Sequence, residues 1–422
     1  VELINTLHTS EFGYLLVAAV IFSFYASFMG GANDFANSFG TSVGSGAIKL
    51  KFAVLIAIVA TFTGAVFAGG NVTSTIRQGI VDPLMFEGNY RLLALGLISA
   101  LVGSGAFIQV ASRYGLPVST THAIVGALVG FGVVSNGFWS ISWGTVGWIS
   151  VSWVLSPIGG ALFGYFVFKV ISKQVLQRDN PAESARFWIP FFIGLAVTSV
   201  TLSMIYKGLK NLNLALPLWQ AIPIALLFGL LIALVAYWRI GDFSHLPYEE
   251  QLEMAERKFR FIQIFTAGYM AFAHGSNDVA NGVGPLAGVY ALYMNGFIPI
   301  KAAVPVWILT LGGVGIVLGL AVFGKKVIET IGTKITHITP SRGFAAEFAA
   351  ATIVLIFSKA GMPISTTHTI VGAVIGVGMA RGMASLDMRV IRHILTSWVV
   401  TIPAAAVASA LTFWLAKMIL GW

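Results

Sequence analysis

The chain has no cysteine, so it has no disulfide framework, no thiolate nucleophile and no thiolate metal site. Charge is scarce as well. Only 10% of the 422 residues are Asp, Glu, Lys or Arg, against roughly 25% in soluble domains. Acids are the scarcer sign, 16 against 25 Lys and Arg. No complete Walker sequence, Gly-x-x-x-x-Gly-Lys followed by Ser or Thr, is present, so direct ATP drive by this chain is not expected. No Gly-x-Ser-x-Gly elbow accompanies its Ser-Thr-Thr-His runs, so those runs do not read as serine nucleophiles. An enzyme is not expected.

What is abundant is apolar sequence: 57% of the residues are hydrophobic and 47 are glycine, a pattern of close helix packing and interrupted helices in a bilayer. Apolar runs cover 12–32, 52–69, 92–112, 118–135, 141–171, 187–206, 218–238, 261–290, 302–323, 344–357, 364–379 and 394–420. Most approach the ~20 residues needed to span ~30 Å of hydrocarbon. The runs at 118 and 364 are short and glycine-rich, so each either spans or re-enters. The expected fold is an all-α integral membrane protein of about twelve transmembrane helices, with membrane lipid around it. A formal charge of +9 would suggest nucleic acid in a soluble protein. Here the cations lie in short loops, positive-inside topology explains them, and no nucleic-acid partner is expected.

About 18 of the 25 Lys and Arg, from Lys49, Lys51 and Arg113 through Arg381, Arg389 and Arg392, fall on alternate loop ends. That places both termini outside a cell (plasma) membrane, although Arg77, Arg91, Lys207 and Lys210 remain on the outer side. Residues 1–11 are acidic and lack the basic region of a cleaved signal, so the first run reads as a retained span. One stretch, 247–260, is soluble in character. Its Glu250/Glu253/Arg257 spacing suits a solvated cytoplasmic helix, with partner binding as the alternative. The sequence leaves a homo-oligomer open.

Two motifs occur twice in the same order. Gly31-Ala32-Asn33-Asp34-Phe35-Ala36-Asn37 returns as Gly275-Ser276-Asn277-Asp278-Val279-Ala280-Asn281, 244 residues on. Pro117-Val118-Ser119-Thr120-Thr121-His122 returns as Pro363-Ile364-Ser365-Thr366-Thr367-His368, 246 residues on. Five runs precede the midpoint and two more separate the halves, an odd number, so the second copy is inverted. The expected organisation is a first repeat over 1–180, a connection of two helices and a linker over 181–260, and a second repeat over 261–422. Broken or re-entrant helices should meet near the midplane, as in secondary transporters.

The chemistry follows from the residue types. Pro, then Ser and Thr, before an apolar run marks a helix start. Such a start presents free N–H groups and a positive dipole end to an anion, and two facing starts suit a tetrahedral oxyanion. Capping alone is the plainer reading of a single copy. An Asp inside a membrane helix is costly and asks for a reason. Small residues beside Asp34 and Asp278 would let the backbone unwind there. Carboxylates and carboxamides supply hard oxygen for an alkali or alkaline-earth ion, or the carboxylate takes a proton. We therefore expect Asn37, Asn281, Ser119, Thr120, Thr121, Ser365, Thr366 and Thr367 on an anion, and Asn33, Asp34, Asn277 and Asp278 on a cation. His122, His274 and His368 are proton carriers or packed structural residues. Glu347, an acid in an apolar run with Leu101 at the equivalent position, is a further coupling candidate unless Arg342 pairs it. Gly126/Gly130 and Gly372/Gly376 read as helix packing.

At these residues the chain resembles the inorganic phosphate transporter (PiT) family of sodium- or proton-coupled symporters. Thr75-Ile76-Arg77-Gln78-Gly79-Ile80 is also similar to that family's segment after the second span. The resemblance implies inorganic phosphate as substrate, twelve spans in an inverted repeat, and alternating access. It sets Asn37, Asn281 and both Ser-Thr-Thr runs against phosphate, and Asp34 and Asp278 against the coupling ions. Thr61 stands where animal relatives have a glutamate, whereas Glu347 matches their later one. Sodium is the expected co-transported ion, because each site offers neutral oxygens besides its Asp; protons are the alternative. No cofactor is expected.

Overall fold

The computed structural model describes residues 10–205, 216–298, 303–324, 327–328 and 330–422; Lys207 and Lys210 lie outside them. Among the described residues no strand forms beyond one isolated bridge, Val81 to Ile141. The α-helices are α1 (Ser10–Gly44), α2 (Leu50–Ala68), α3 (Gly70–Gln78), α4 (Tyr90–Arg113), α5 (Thr120–Asn136), α6 (Trp143–Ile171) and α7 (Pro181–Ser203). They continue with α8 (Leu218–Ile240), α9 (Tyr248–Asn295), α10 (Val306–Phe323), α11 (Pro340–Lys359), α12 (Thr366–Met379) and α13 (Met388–Leu420). Apart from the short α3, each falls on one of the twelve apolar runs.

Nine helical stretches among the described residues are long and apolar enough to cross a membrane. α5 and α12 are apolar but have only 17 and 14 residues, which at 1.5 Å each cover about 25 and 21 Å. Each begins at a buried serine cap and pairs with the helix before it as a hairpin. At the open end of the first hairpin, away from its turn, the Asn136 amide donates to Met85 O and Phe86 packs on Phe131. Large apolar side chains such as Leu226, Phe228, Leu230 and Leu231 of α8 are exposed, the surface a bilayer covers.

Two expectations need correction. The backbone does not unwind at the Asn-Asp sequences, because α1 runs through Asn33–Asn37 and α9 through Asn277–Asn281 without a break. The interruptions fall instead at Gly69, between α2 and α3, and at the hairpin turns 114–119 and 360–365. The stretch 247–260 is not a free solvated helix either. It is the first part of α9, so the boundary expected at 260 lies inside one helix. Gln251, Ala255 and Phe259 are buried, and Gln251 Oε1 accepts from the Ala182 N–H at 3.1 Å. Only its outer face carries the exposed Arg257–Glu253 pair at 3.4 Å.

α1 and α9 run antiparallel. Ser23 Oγ donates to Gly282 O at 2.8 Å, and Ser45 Oγ donates to Gln263 Oε1 at 2.8 Å near the other end. The remaining helices interleave between halves. α2 lies along α9, and α10 lies along α1. Likewise α5 lies on α13 through Gly126 and Gly130, and α12 on α6 through Gly372 and Gly376. A Cβ at Gly130 would collide with Ala406 O, and one at Gly372 with Pro157 O. Only glycine permits backbones this close, so these positions serve packing.

Candidate functional site

The two hairpin turns meet head to head between α1 and α9. Ser119 and Ser365 cap α5 and α12, each oxygen accepting the N–H three residues on at 3.1 Å, from His122 and His368. Thr121 Oγ1 donates across to Ile364 O at 2.9 Å, and Thr367 Oγ1 donates back to Val118 O at 3.1 Å. Two helix starts therefore face one another. The first N–H groups of a helix have no acceptor within it, so those of Thr120, Thr121, Thr366 and Thr367 are not used by their own helices.

Each aspartate is held by hydroxyls from the turns. Asp34 accepts from Thr120 Oγ1 at 2.9 Å, Thr367 Oγ1 at 3.2 Å and Asn37 Nδ2 at 2.7 Å. Asp278 accepts from Thr366 Oγ1 at 2.6 Å, Asn277 Nδ2 at 2.7 Å and Asn281 Nδ2 at 3.3 Å. Asn281 also reaches Thr120 and Thr121, and Asn37 reaches Thr366 and Thr367. Twelve of the thirteen expected site residues thus form one buried constellation around the hairpin starts. The thirteenth, Glu347, stands apart.

Asn33 and Asn277, expected as cation ligands, are bonded to the hairpin turns. Asn33 Oδ1 accepts the Val118 N–H at 3.1 Å, and its Nδ2 donates to Ser112 Oγ and Leu116 O, both at 2.9 Å. Asn277 Nδ2 donates to Ile364 O at 2.9 Å and its Oδ1 accepts from Ser358 Oγ at 3.2 Å. The open oxygens belong to the other pair: Asn37 Oδ1 and Asn281 Oδ1 are buried without a hydrogen-bond partner. Carbonyl oxygens left so in a dry site suit a cation.

His274 was absent from the expected ligands. Its Nε2 lies 3.3 Å from Asp278 Oδ2 and 3.6 Å from Asp34 Oδ2. The signal was available in its position four residues before Asp278, one helical turn away. The equivalent residue of the first repeat is Gly30, so the imidazole enters a space that only one half opens. Asp34, His274 and Asp278 bring ligand atoms within 4.8 Å of one another and could hold a metal ion. The cavity among them is about 10 Å³, the size of one water.

His122 and His368 form a separate buried cluster at the hairpin starts. Their rings meet edge to face at 4.3 Å; His122 lies tilted against Trp153 at 4.0 Å, and His368 stacks on Trp398 at 3.5 Å. This is the packed arrangement.

Glu347 is fully buried on α11. Thr41 Oγ1 and Ser42 Oγ donate to its Oε1 at 2.6 Å each, Gln263 Nε2 donates to the same oxygen at 3.4 Å, and Thr266 Oγ1 donates to Oε2 at 2.8 Å. Arg342 does not pair with it, since its guanidinium meets His337 and the Phe168 ring. The result is a second polar site, one turn along α1 from Asn37, that the apolar Leu101 does not reproduce in the other half.

The profile of the Phosphate transporter family matches residues 30–409. The chain belongs to the phosphate transporter family. It is 45% identical over 409 residues to a protein of Pyrococcus furiosus named a putative phosphate permease, covering 96% of this chain and 97% of that one. It is 41% identical over 440 residues to the chloroplastic inorganic phosphate transporter 2-1 of Arabidopsis thaliana, covering 97% of this chain and 73% of the relative. A solved structure titled the sodium-dependent phosphate transporter superposes with a TM-score of 0.88 at 40% identity, covering 96% of this chain and all of that one. The chain is a multi-pass membrane transporter and not an enzyme.

Proposed function

We propose that this transporter is a sodium-coupled phosphate symporter working by alternating access, set in the cell membrane with both termini outside. The observation that carries the reading is the meeting of two buried carboxylates and two helix starts in one space. Phosphate and two aspartates cannot share a low-dielectric site without cations, since like charges 5 Å apart repel by about 3 kcal/mol at an effective dielectric of 20.

The hydrogen bonds suggest how the two ligands are linked. Thr120 and Thr366 spend their hydroxyl protons on Asp34 and Asp278, and Thr367 shares its single proton between Asp34 and Val118 O. Sodium on the carboxylates, with Asn37 and Asn281 carbonyl oxygens beside it, competes for those carboxylate oxygens and frees the hydroxyls. Together with the helix-start N–H groups and the Asn amides, the hydroxyls then hold phosphate over Ser119–Thr121 and Ser365–Thr367. In this reading Asn33 and Asn277 act by fixing the turns, and Glu347 with its four neutral donors is a further coupling-ion site. Because the space at the aspartates is water-sized, loading requires the hairpins to separate.

Proton coupling is the second reading, favoured by one feature: the His274 imidazole between the two aspartates is a ready proton carrier. Labelled-phosphate uptake into proteoliposomes, with a sodium or a proton gradient imposed separately, decides between them. Accumulation driven by sodium alone supports the first; accumulation driven only by protons overturns it.

A further inference from the structure

Beside the hairpin site lies a cavity of about 560 Å³ bounded by Met29 and Ala32 of α1, Gln109, Ser112 and Arg113 of α4, and Val322 and Phe323 of α10. The volume is within the range of small-ligand pockets, and no acidic side chain lines it. Three polar residues line it, and all can donate. Gln109 Oε1 accepts from Tyr25 Oη at 2.8 Å, which turns the Gln109 amide N–H groups away from Tyr25. Ser112 Oγ accepts from Asn33 Nδ2 and keeps its own proton to give. Arg113 is exposed at the end of α4, and no carboxylate among the described residues lies within 4.0 Å of it. A planar guanidinium with an amide and a hydroxyl, on otherwise apolar walls, is the chemistry of oxyanion recognition.

We propose that this cavity is an oxyanion vestibule and that Arg113, Gln109 and Ser112 form a second, weaker phosphate site from which substrate passes to the aspartates. The proposal rests on the phosphate-transport reading above. The connection is short: Ser112 is bonded to Asn33, whose other end holds Val118 two residues before Thr120. The vestibule belongs to one side of the transporter. The second repeat keeps a serine and a cation at the equivalent positions, Ser358 and Lys359, but has Leu355 where the first has Gln109, so the equivalent turn lacks the amide donor and the guanidinium.

The first test is Arg113→Gln in proteoliposomes of neutral lipid, with phosphate presented from each face in turn. From one face only, half-saturating phosphate should rise about fivefold with little change in maximal rate, the size expected of one exposed charge-assisted contact. Arg113→Lys should restore most of it. The ionic-strength dependence of half-saturation should flatten in the Gln variant. Unchanged half-saturation from both faces overturns the proposal.

The second test does not need the Arg113 variant to fold. The chain has no cysteine, so a single thiol introduced by Phe323→Cys reports on the cavity alone. A sulfonate-bearing thiol reagent should label it, and inorganic phosphate or sulfate should slow the labelling in neutral-lipid vesicles. Labelling unaffected by either oxyanion overturns the vestibule. So does labelling slowed only by anionic lipid, which would mark a headgroup site. If the wild-type protein carries no phosphate yet oxyanions still protect the introduced thiol, the transport reading fails and the cavity assignment stands.

Discussion

Asp278→Asn tests the link between cation and anion most directly. The carboxamide has nearly the shape of the carboxylate, so contacts with Thr366, Asn277 and Asn281 change in polarity more than in place. In the native site the ligand atoms of Asp34 and Asp278 lie within 4.8 Å, a separation at which two unit charges repel by about 3 kcal/mol at an effective dielectric of 20. A monovalent ion between them is attracted by each carboxylate somewhat more strongly than they repel one another. The repulsion between the carboxylates is present with and without the ion, so removing one charge costs sodium binding one whole attraction, about 3 kcal/mol or more, at least roughly 100-fold in sodium affinity. The assay is phosphate uptake as a function of sodium at saturating phosphate, then as a function of phosphate at saturating sodium. Half-activating sodium should move roughly tenfold further than half-saturating phosphate. Intact uptake with an unchanged sodium curve, or a shift confined to phosphate, would refute the reasoning.

Three further substitutions probe other parts of the site. Ser365→Ala with Thr366→Val removes a cap and a donor at the α12 start, and should raise half-saturating phosphate about tenfold in the same uptake assay. Asn33→Ala leaves the Val118 N–H and Leu116 O unpaired, destabilising the first hairpin by about 2 kcal/mol; thermal unfolding in detergent should show it, with sodium and phosphate half-saturation both raised. Glu347→Gln keeps a hydrogen-bonding side chain among Thr41, Ser42, Gln263 and Thr266 but removes its charge. Sodium-driven accumulation should fall at least about tenfold, while phosphate–phosphate exchange, which needs no net ion movement, stays near wild type; equal loss of both would count against a coupling role.

The helices and the paired motifs were legible because hydrophobic runs and recurring strings survive without coordinates. The partners of the polar side chains were not. Asn33 and Asp34 are neighbours in sequence but about 100° apart around α1, so one meets the turn at Ser112–Val118 while the other meets Thr120 and Thr367. Residue chemistry alone could therefore divide the carboxamides between an anion and a cation, but not show what each one bonds. The continuity of α1 was hidden for a related reason. Asn, Asp and Gly disfavour helix when their side chains turn back on the backbone, but here Asn33, Asp34 and Asn37 are bonded to other elements and the helix persists. His274 was legible as a proton carrier or a packed residue, but with no counterpart in the first half its place between the two aspartates was not.

The exchange of helices between halves bears on how the chain comes to exist. While only residues 1–180 are in the bilayer, α2 has no α9 to lie along, and the glycine notches of α5 face lipid where α13 will later stand. The first half is thus an incomplete object, its polar hairpin turn awaiting a surface still on the ribosome. A duplicated gene of this shape points to an ancestor that already worked as two copies pointing opposite ways across the bilayer, each completing the other.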